Sequence, residues 1–393
     1  MLRADRSSAI ALAIAFFCLV WIIDPAYVGM LGREGLFRWG GLCLIALLAL
    51  GSPVTYAFFA TRTFAFQGLF VAVMLVSTMT SGTTAGYVEA LRLAPICLAA
   101  PLVVACGRAG GRERLRSMLI VLLAGVAVAS VASGYLDGRF YRGRLFGVSW
   151  HPNALTLVAA TLCAVMLFAP LRSRFWSGAG FIAGAWAVVL SDSLLGIVTV
   201  LTAVAGKLIQ KWLGGRAAIV FLVGSTIFWV FAPLAIALLM QDYRSWFGLV
   251  DRSTFQRLVI WHDALRTFLA HPLLGIGFAY EQSFYDLISV VTFYYSHSVT
   301  LTYLRTTGVA GLLAIGLLIV HVTGISGRNA GRGDWFSFSL LFPVLMMSSV
   351  EAGLQQMPIS WILFWLAVGL AMSEAEQEAE MPATAAAPLA VPR

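Results

Sequence analysis

Charge is scarce in this sequence. Only 11% of its 393 residues are Asp, Glu, Lys or Arg, against roughly 25% in a soluble domain, while 60% are hydrophobic and the mean hydropathy is +0.88. So few charges cannot clothe so large an apolar core in water, and a chain this apolar buries itself rather than staying disordered. The missing solvent is lipid, and the chain reads as a polytopic membrane protein of one domain. Lysine is nearly absent, with Lys207 and Lys211 alone, so arginine carries almost all the basic charge behind the net +8. The arginines are scattered between apolar runs rather than striped along one face, which argues against nucleic acid as a partner and leaves phosphate as a candidate ligand. Cysteine is sparse too. Cys18, Cys43, Cys97, Cys106 and Cys163 sit in apolar runs without ligand spacing, so neither a zinc site nor a disulfide is expected. No internal repeat divides the chain into the two halves of many transporters.

What is present is a series of apolar segments. A span needs about 20 mostly apolar residues, and twelve are predicted, with cores at 9–23, 36–50, 64–80, 87–106, 117–134, 153–170, 177–190, 194–210, 216–240, 298–321, 335–350 and 357–372. The first, which follows Arg3 and Arg6, is read as a retained span rather than a cleaved leader. The break Ser191-Asp192-Ser193 is so short that the seventh and eighth spans could form one kinked element, which would invert everything downstream. Charge decides, because cytoplasmic loops collect arginine and lysine. Alternate breaks hold Arg62, then Arg108, Arg112, Arg114 and Arg116, then Arg172 and Arg174, then Lys207, Lys211 and Arg216, then Arg328 and Arg332. That parity survives to the last span only if seven and eight are separate. The expected fold is all-α, with about twelve transmembrane helices over residues 1–372, both termini cytoplasmic, and a disordered tail at 373–393.

Breaks on the other side are short, with one exception. The stretch from Gln241 to His297 is too long for a simple connection. Within it, Ser253 to Ala270 is predicted as an amphipathic helix, because Phe255, Leu258, Val259, Leu265, Phe268 and Leu269 recur every three or four residues. Ser253 and Gln256 have capping-box spacing, and His271-Pro272 supplies the stop, since the residue before a proline resists helical geometry. Arg257 and Trp261 lie one turn apart and share a face. The run Pro272-Leu-Leu-Gly275-Ile-Gly277-Phe278 is a glycine turn able to bring backbone amides close to a ligand.

The tenth span opens Tyr294-Tyr295-Ser296-His297-Ser298. Ser298, Thr302 and Arg305 follow four-then-three spacing, a polar stripe that sets an arginine about two turns below the outer surface. A charge at that depth is costly in lipid, so it faces the bundle interior or a wet cavity and calls for an anion. Glu89 and Arg92 begin span four, Arg139, Arg142, Arg144 and His151 precede span six, and Glu351, Gln355 and Gln356 join the last two spans. Together these predict an external basic vestibule. The planar fork of arginine suits bidentate phosphate binding, and a lipid-linked phosphate fits.

His297-Ser298, nine residues, then Gly308-Val-Ala-Gly311 resembles the His-(Asn/Ser/Gln)-x9-Gly-x-x-Gly signature of the O-antigen ligase and polysaccharide polymerase family of bacterial envelope enzymes. Arg257-x-x-x-Trp261 with His271-Pro-Leu-Leu-Gly275-Ile-Gly277-Phe278 is similar to the stretch before that histidine, and Arg144-x-x-Gly147 with Pro152-Asn153 is a looser likeness. The resemblance spans segments six to ten. It implies a GT-C-like membrane fold and transfer of a glycan from a polyprenyl (undecaprenyl) pyrophosphate carrier to an acceptor hydroxyl, on another glycan or on lipid A core. That transfer would occur at the periplasmic face of the inner membrane, in O-antigen or exopolysaccharide assembly, with inversion at the sugar carbon and with neither metal nor other cofactor. A flippase and a chain-length regulator are candidate partners. His297, with an ordinary pKa of about 6.5, would take the acceptor proton, and Arg257 is the second catalytic candidate. Arg305, Arg144, Arg142, Arg92, Ser298 and Trp261 are expected to bind substrate. One departure stands out: many family members carry an arginine near the outer end of span seven, where this chain has Ser191-Asp192-Ser193. Either Arg142, Arg144 or Arg305 supplies that charge, or the donor binds differently.

Each candidate also has a plain structural reading. His297 would otherwise anchor a helix start at the lipid interface, Arg257 would solvate a helix face, Arg305 would pair with Glu351, and Arg92 with Glu89. Trp150, Tyr294 and Tyr295 suit an interfacial belt, and His262, His271 and His321 carry no assignment. Two other functions fit a chain of twelve spans: a solute transporter using intramembrane Arg305 and Glu351, or a structural subunit whose outer loop docks a partner. The off-centre loop and the missing halves count against the transporter.

Overall fold

Hydrocarbon offers no water to pair with backbone N–H and C=O, so a spanning segment must close its own hydrogen bonds. The computed structural model accordingly consists almost wholly of helices. It describes residues 2–23, 34–81, 87–88, 94–149, 151–240, 252–277, 282–285, 290–293, 296–349 and 358–380. In chain order the helices are α1 (Leu2–Ile22), α2 (Glu34–Leu50), α3 (Pro53–Phe59), α4 (Arg62–Ser81), α5 (Ala99–Arg108), α6 (Arg112–Asp137), α7 (Pro152–Phe168), α8 (Arg174–Leu190), α9 (Leu194–Leu213) and α10 (Gly215–Leu239). They continue with α11 (Arg252–Ala270), α12 (Val299–Gly331), α13 (Phe336–Met347) and α14 (Pro358–Glu380). Five of the described helices are long and apolar enough to cross a membrane: Arg62–Thr80, Arg112–Asp137, Leu194–Leu213, Gly215–Leu239 and Val299–Gly331. α2 and α3 would make a sixth as one broken span, bent by 91° at Gly51-Ser52. Six shorter apolar helices accompany them.

Burial sorts these helices into an inner and an outer set. α7 and α13 are apolar on every side and buried almost throughout, as is α14 from Ile359 to Ala371, which marks core helices. α4, α9 and α10 instead keep one exposed apolar face, with Leu69 and Val76, Leu201, and Val220 and Phe228 respectively. In water such faces would be a fault; against lipid they are the ordinary surface. At one end Arg112 and Arg116 both bond Asp334, and the Arg116 guanidinium lies 4.7 Å from the Phe336 ring centroid, fastening α6 to the start of α13.

The seventh and eighth predicted spans are separate helices. Between α8 and α9, Asp192 takes a left-handed φ of 48°, and Ser193 caps α9 by accepting a hydrogen bond from the Gly196 amide. Both helices pack against α7. Other features depart from the sequence reading. α14 continues to Glu380, into the tail expected to be disordered, because its Glu, Ala and Gln residues are strong helix formers. α11 starts at Arg252, so Ser253 falls inside its first turn rather than at the cap. Two small antiparallel hairpins were not foreseen: β1 (Phe140–Tyr141) pairs with β2 (Arg144–Leu145), and β3 (Gln282–Tyr285) with β4 (Val290–Phe293). Glu89, Arg92, Trp150, Tyr294, Tyr295, Glu351, Gln355 and Gln356 lie outside the described residues.

Candidate functional site

The site is built where α12 is broken. Gly308, in the middle of that helix, has φ 64° and ψ −162°, a combination open to glycine alone. A break inside a span frees backbone groups that lipid cannot satisfy. The turn after α11 fills the gap. The Ile276 and Gly277 amides donate to the Arg305 and Thr306 carbonyls, each at 3.0 Å, while the Val309 and Ala310 amides donate to the Pro272 and Leu273 carbonyls at 2.9 and 3.3 Å. From α4, Ser77 Oγ lies 2.7 Å from the Leu274 carbonyl and 2.5 Å from the Thr306 carbonyl, one hydroxyl shared between both sides of the joint. The approach is so close that a Cβ at Gly275 would lie 2.4 Å from the Thr306 carbonyl carbon, one at Gly308 2.3 Å from Leu273 O, and one at Gly311 on top of the Thr307 side chain. These contacts explain why glycines recur at 275, 308 and 311. They also correct the expectation that the turn offers amides to a ligand, because the Ile276 and Gly277 amides are spent on the joint.

Before the break, α11 lies across the ends of its neighbours. Leu258, Trp261, Ala264 and Leu265 pack on Ala237 of α10 and Leu301 of α12; Leu258 and Leu265 belong to the apolar face that the periodicity marked, whereas Trp261 joins it instead of the Arg257 face and Leu269 is exposed. The same helix brings its polar residues to the start of α12. Asp263 feels the charges of Arg305, Arg266 and His262, yet its carboxyl is held above the usual range because burial outweighs them. Asp263 Oδ2 and Trp261 Nε1 have no hydrogen-bond partner among the described residues. Arg305 is wholly buried, and Asp263, a residue that the sequence reading passed over in favour of Glu351, is an acid whose carboxyl feels its charge.

His297 stands at the mouth of α12. Its φ of 49° is left-handed, a conformation costing a non-glycine residue about 1–2 kcal/mol. The backbone on either side is pinned: Ser296 Oγ lies 2.9 Å from Thr302 Oγ1, Ser298 Oγ accepts from the Leu301 amide, and the Val299 amide donates to the Ser348 carbonyl at 3.1 Å. Ser298 therefore caps the helix, and its side chain is fully buried. Burial lowers the His297 pKa to about 4, helped by the charges of Arg257 and His151. At neutral pH the imidazole is uncharged within electropositive surroundings.

His151 extends that cluster. It caps α7, with Nδ1 accepting from the Asn153 amide at 3.1 Å, and its own pKa is lowered by burial and by Arg144. Arg144 Nε donates to the Ser191 carbonyl and Nη2 to Asn153 Oδ1, both at 2.8 Å. Thus a guanidinium reaches the C-terminal end of α8 from the β1–β2 hairpin. The hairpin is held down by Gly147, where a Cβ would lie 2.3 Å from Ser130 Cα. Arg139 donates from Nε to the Gly147 carbonyl. Arg142 takes a left-handed φ of 52° at the exposed hairpin turn, its guanidinium 5.2 Å from the Tyr141 ring centroid. The structure therefore sets His297 within reach of the charges of Arg257 and His151, and His151 within reach of Arg144, on one side, and Asp263 within reach of Arg305 on the other, while Trp261 packs in the apolar cluster between α10, α11 and α12. It leaves Arg142 at the rim, and Arg92 is outside the described residues. Asp263 and Ser77 are additions, and Asn153, noted in the sequence only within the Pro152-Asn153 likeness, serves as the acceptor for Arg144. An acid in the polar face of the α11 pattern was a signal for the first; Ser77 had none. No three His, Cys, Asp or Glu side chains gather as a metal site among the described residues.

Comparison with curated proteins finds no match. Residues 179–316, which include α11, the glycine turn, His297 and the break in α12, match the family model described as O-Antigen ligase. The chain is thus similar to O-antigen ligase-like membrane proteins of polysaccharide assembly, as its motifs implied.

Proposed function

We propose that the protein transfers a glycan from a polyprenyl pyrophosphate carrier to a sugar hydroxyl, at the periplasmic face of the inner membrane, with both termini in the cytoplasm. The observation that carries the reading is the uncharged His297, held beside Arg257 and His151 within the segment that matches the family. In the reaction the acceptor oxygen attacks the anomeric carbon, its proton passes to His297, and the bond to the pyrophosphate oxygen breaks with inversion. Charge then builds on the departing polyprenyl diphosphate, where Arg257 and Arg144 would stabilise it, the service that a metal ion gives in other diphosphate chemistry. The hydrogen bond from Arg144 to the Ser191 carbonyl supports Arg144 as the cation standing in for the arginine missing from the end of α8. Arg305, paired with Asp263, would position the first turns of α12 rather than meet the carrier. Arg142 would guide at the rim the carrier that a flippase delivers, and Arg92 would also bind it.

His297→Ala and Arg257→Ala should each leave the protein in the membrane but lower transfer by at least ~100-fold, the usual scale for a general base. Transfer would be measured on purified protein with polyprenyl-pyrophosphate-linked repeat units. The product identifies the acceptor: a ladder of repeats means polymerisation, and a single addition to lipid A core means ligation. Normal product from both variants would refute the site.

A further inference from the structure

Far from the site, at the other end of α12, lies a cleft with a different chemistry. A cavity of about 750 Å³ opens between α10, the last turns of α12, and α13, within the ~300–1,000 Å³ of small-molecule sites. Its floor is the glycine series Gly324, Gly327 and Gly331. These glycines serve no close helix contact. A Cβ at Gly327 would meet Ile219 at 3.6 Å, one at Gly331 would meet it at 4.0 Å, and one at Gly324 would meet only the Arg328 side chain at 3.7 Å. Gly206, between α9 and α10, is the contrast, since there a Cβ would clash with Leu222 at 2.7 Å. Glycine weakens a helix relative to alanine, so three that free no neighbour leave a trough instead of a seam. The walls are apolar, and Val320 and Ile227 are exposed.

Apart from the hydroxyls of Thr226 and Thr323, which also line the cleft, its polar groups are charges gathered at the end nearest the break between α12 and α13, where Arg216, Arg328 and Arg332 stand. Arg216 and Arg328 make no hydrogen bond or ion pair among the described residues. The adjacent acid, Asp334, is already bonded by Arg112 and Arg116. An apolar trough closed at one end by three guanidiniums is complementary to an amphiphile with an anionic head. A second copy of the chain fits poorly, because in the same membrane it would bring the same arginines to the same depth. We propose that this cleft is a binding site for an anionic phospholipid of the phosphatidylglycerol type, its phosphate among Arg216, Arg328 and Arg332 and an acyl chain along the glycines. Basic pockets between helices hold anionic headgroups in this manner. In the topology proposed above, this is the cytoplasmic leaflet.

The test is native mass spectrometry of the full chain in neutral detergent, titrated with phosphatidylglycerol or with phosphatidylethanolamine. The expected result is one phosphatidylglycerol retained at least ~5-fold more than phosphatidylethanolamine. Replacing Arg216, Arg328 and Arg332 together by Gln should erase that preference, and replacing them by Lys should keep most of it. Gly327→Leu, which fills the trough and leaves the charges, should lower retention of phosphatidylglycerol by a similar factor. Should the Gln variant fail to fold, the wild-type protein still decides: its phosphatidylglycerol adduct should fall with rising salt while the phosphatidylethanolamine adduct stays level. Equal retention of both lipids by the wild type, adducts unchanged in the Gln and Leu variants, or a dimer that Gly327→Leu dissolves without altering lipid retention would each overturn the proposal.

Discussion

His297 and Asp263 carry opposite lessons about buried ionisable groups. For His297 the folded pKa of about 4 lies below the ordinary value of about 6.5, so on acidification the unfolded chain takes up its proton first. Its contribution to stability is whole above pH ~6.5 and is lost as pH falls toward 4. The proposed base is uncharged over the same window, so a pH profile of transfer should keep its activity through pH 6.5 and show its acid limb near 4 to 5. A limb centred at 6.5 would contradict the electropositive surroundings. For Asp263, burial raises the carboxyl while Arg305 opposes that rise. Asp263→Asn removes a negative charge that acts on a fully buried arginine. A fully buried pair broken this way loses about 3–5 kcal/mol; with Asp263 only half-buried, a smaller loss of melting temperature is expected, together with reduced transfer. His297 and Arg257 could be singled out as candidates because the motifs that carry them are local in sequence. Asp263 was not singled out, because its partner Arg305 lies on another helix and only the folded chain brings them together.

At the scale of elements, the joint between the glycine turn and α12 makes the sharpest claim. Gly308→Ala and Gly275→Ala force a Cβ to within 2.3 and 2.4 Å of backbone atoms at positive φ, so each should cost well over ~1 kcal/mol. Gly316→Ala, a few turns further along α12 with nothing within 4 Å of the new methyl, should be neutral or slightly stabilising. Thermal unfolding of the three variants in one detergent measures the contrast. Apolar runs announced most of the helices, and the three-to-four periodicity announced α11, whose polar face sets it apart from the wholly apolar spans. The break at Gly308 was hidden because hydropathy is blind to backbone geometry, and its hydrogen bonds reach back more than thirty residues to Pro272 and Leu273. The bend between α2 and α3 had a local cue in Gly51-Ser52-Pro53, but an apolar average smooths over such a break.

For the whole molecule, charge asymmetry predicts a side for each end. A cysteine placed at Arg142, on the exposed hairpin turn beside the site, should react with a membrane-impermeant maleimide in intact cells. One placed at Arg332 should react only after permeabilisation. The native cysteines leave a quiet background, since Cys18, Cys97, Cys106 and Cys163 are buried and only Cys43 is exposed. The reverse labelling pattern would put the imidazole on the wrong side for an exported carrier. The turn seated in the broken helix has a practical consequence for anyone building hybrids of similar proteins. Residues 271–277 and 305–311 behave as the two halves of one lock, so exchanging the segment that carries α11 and its glycine turn should succeed only when both halves travel together.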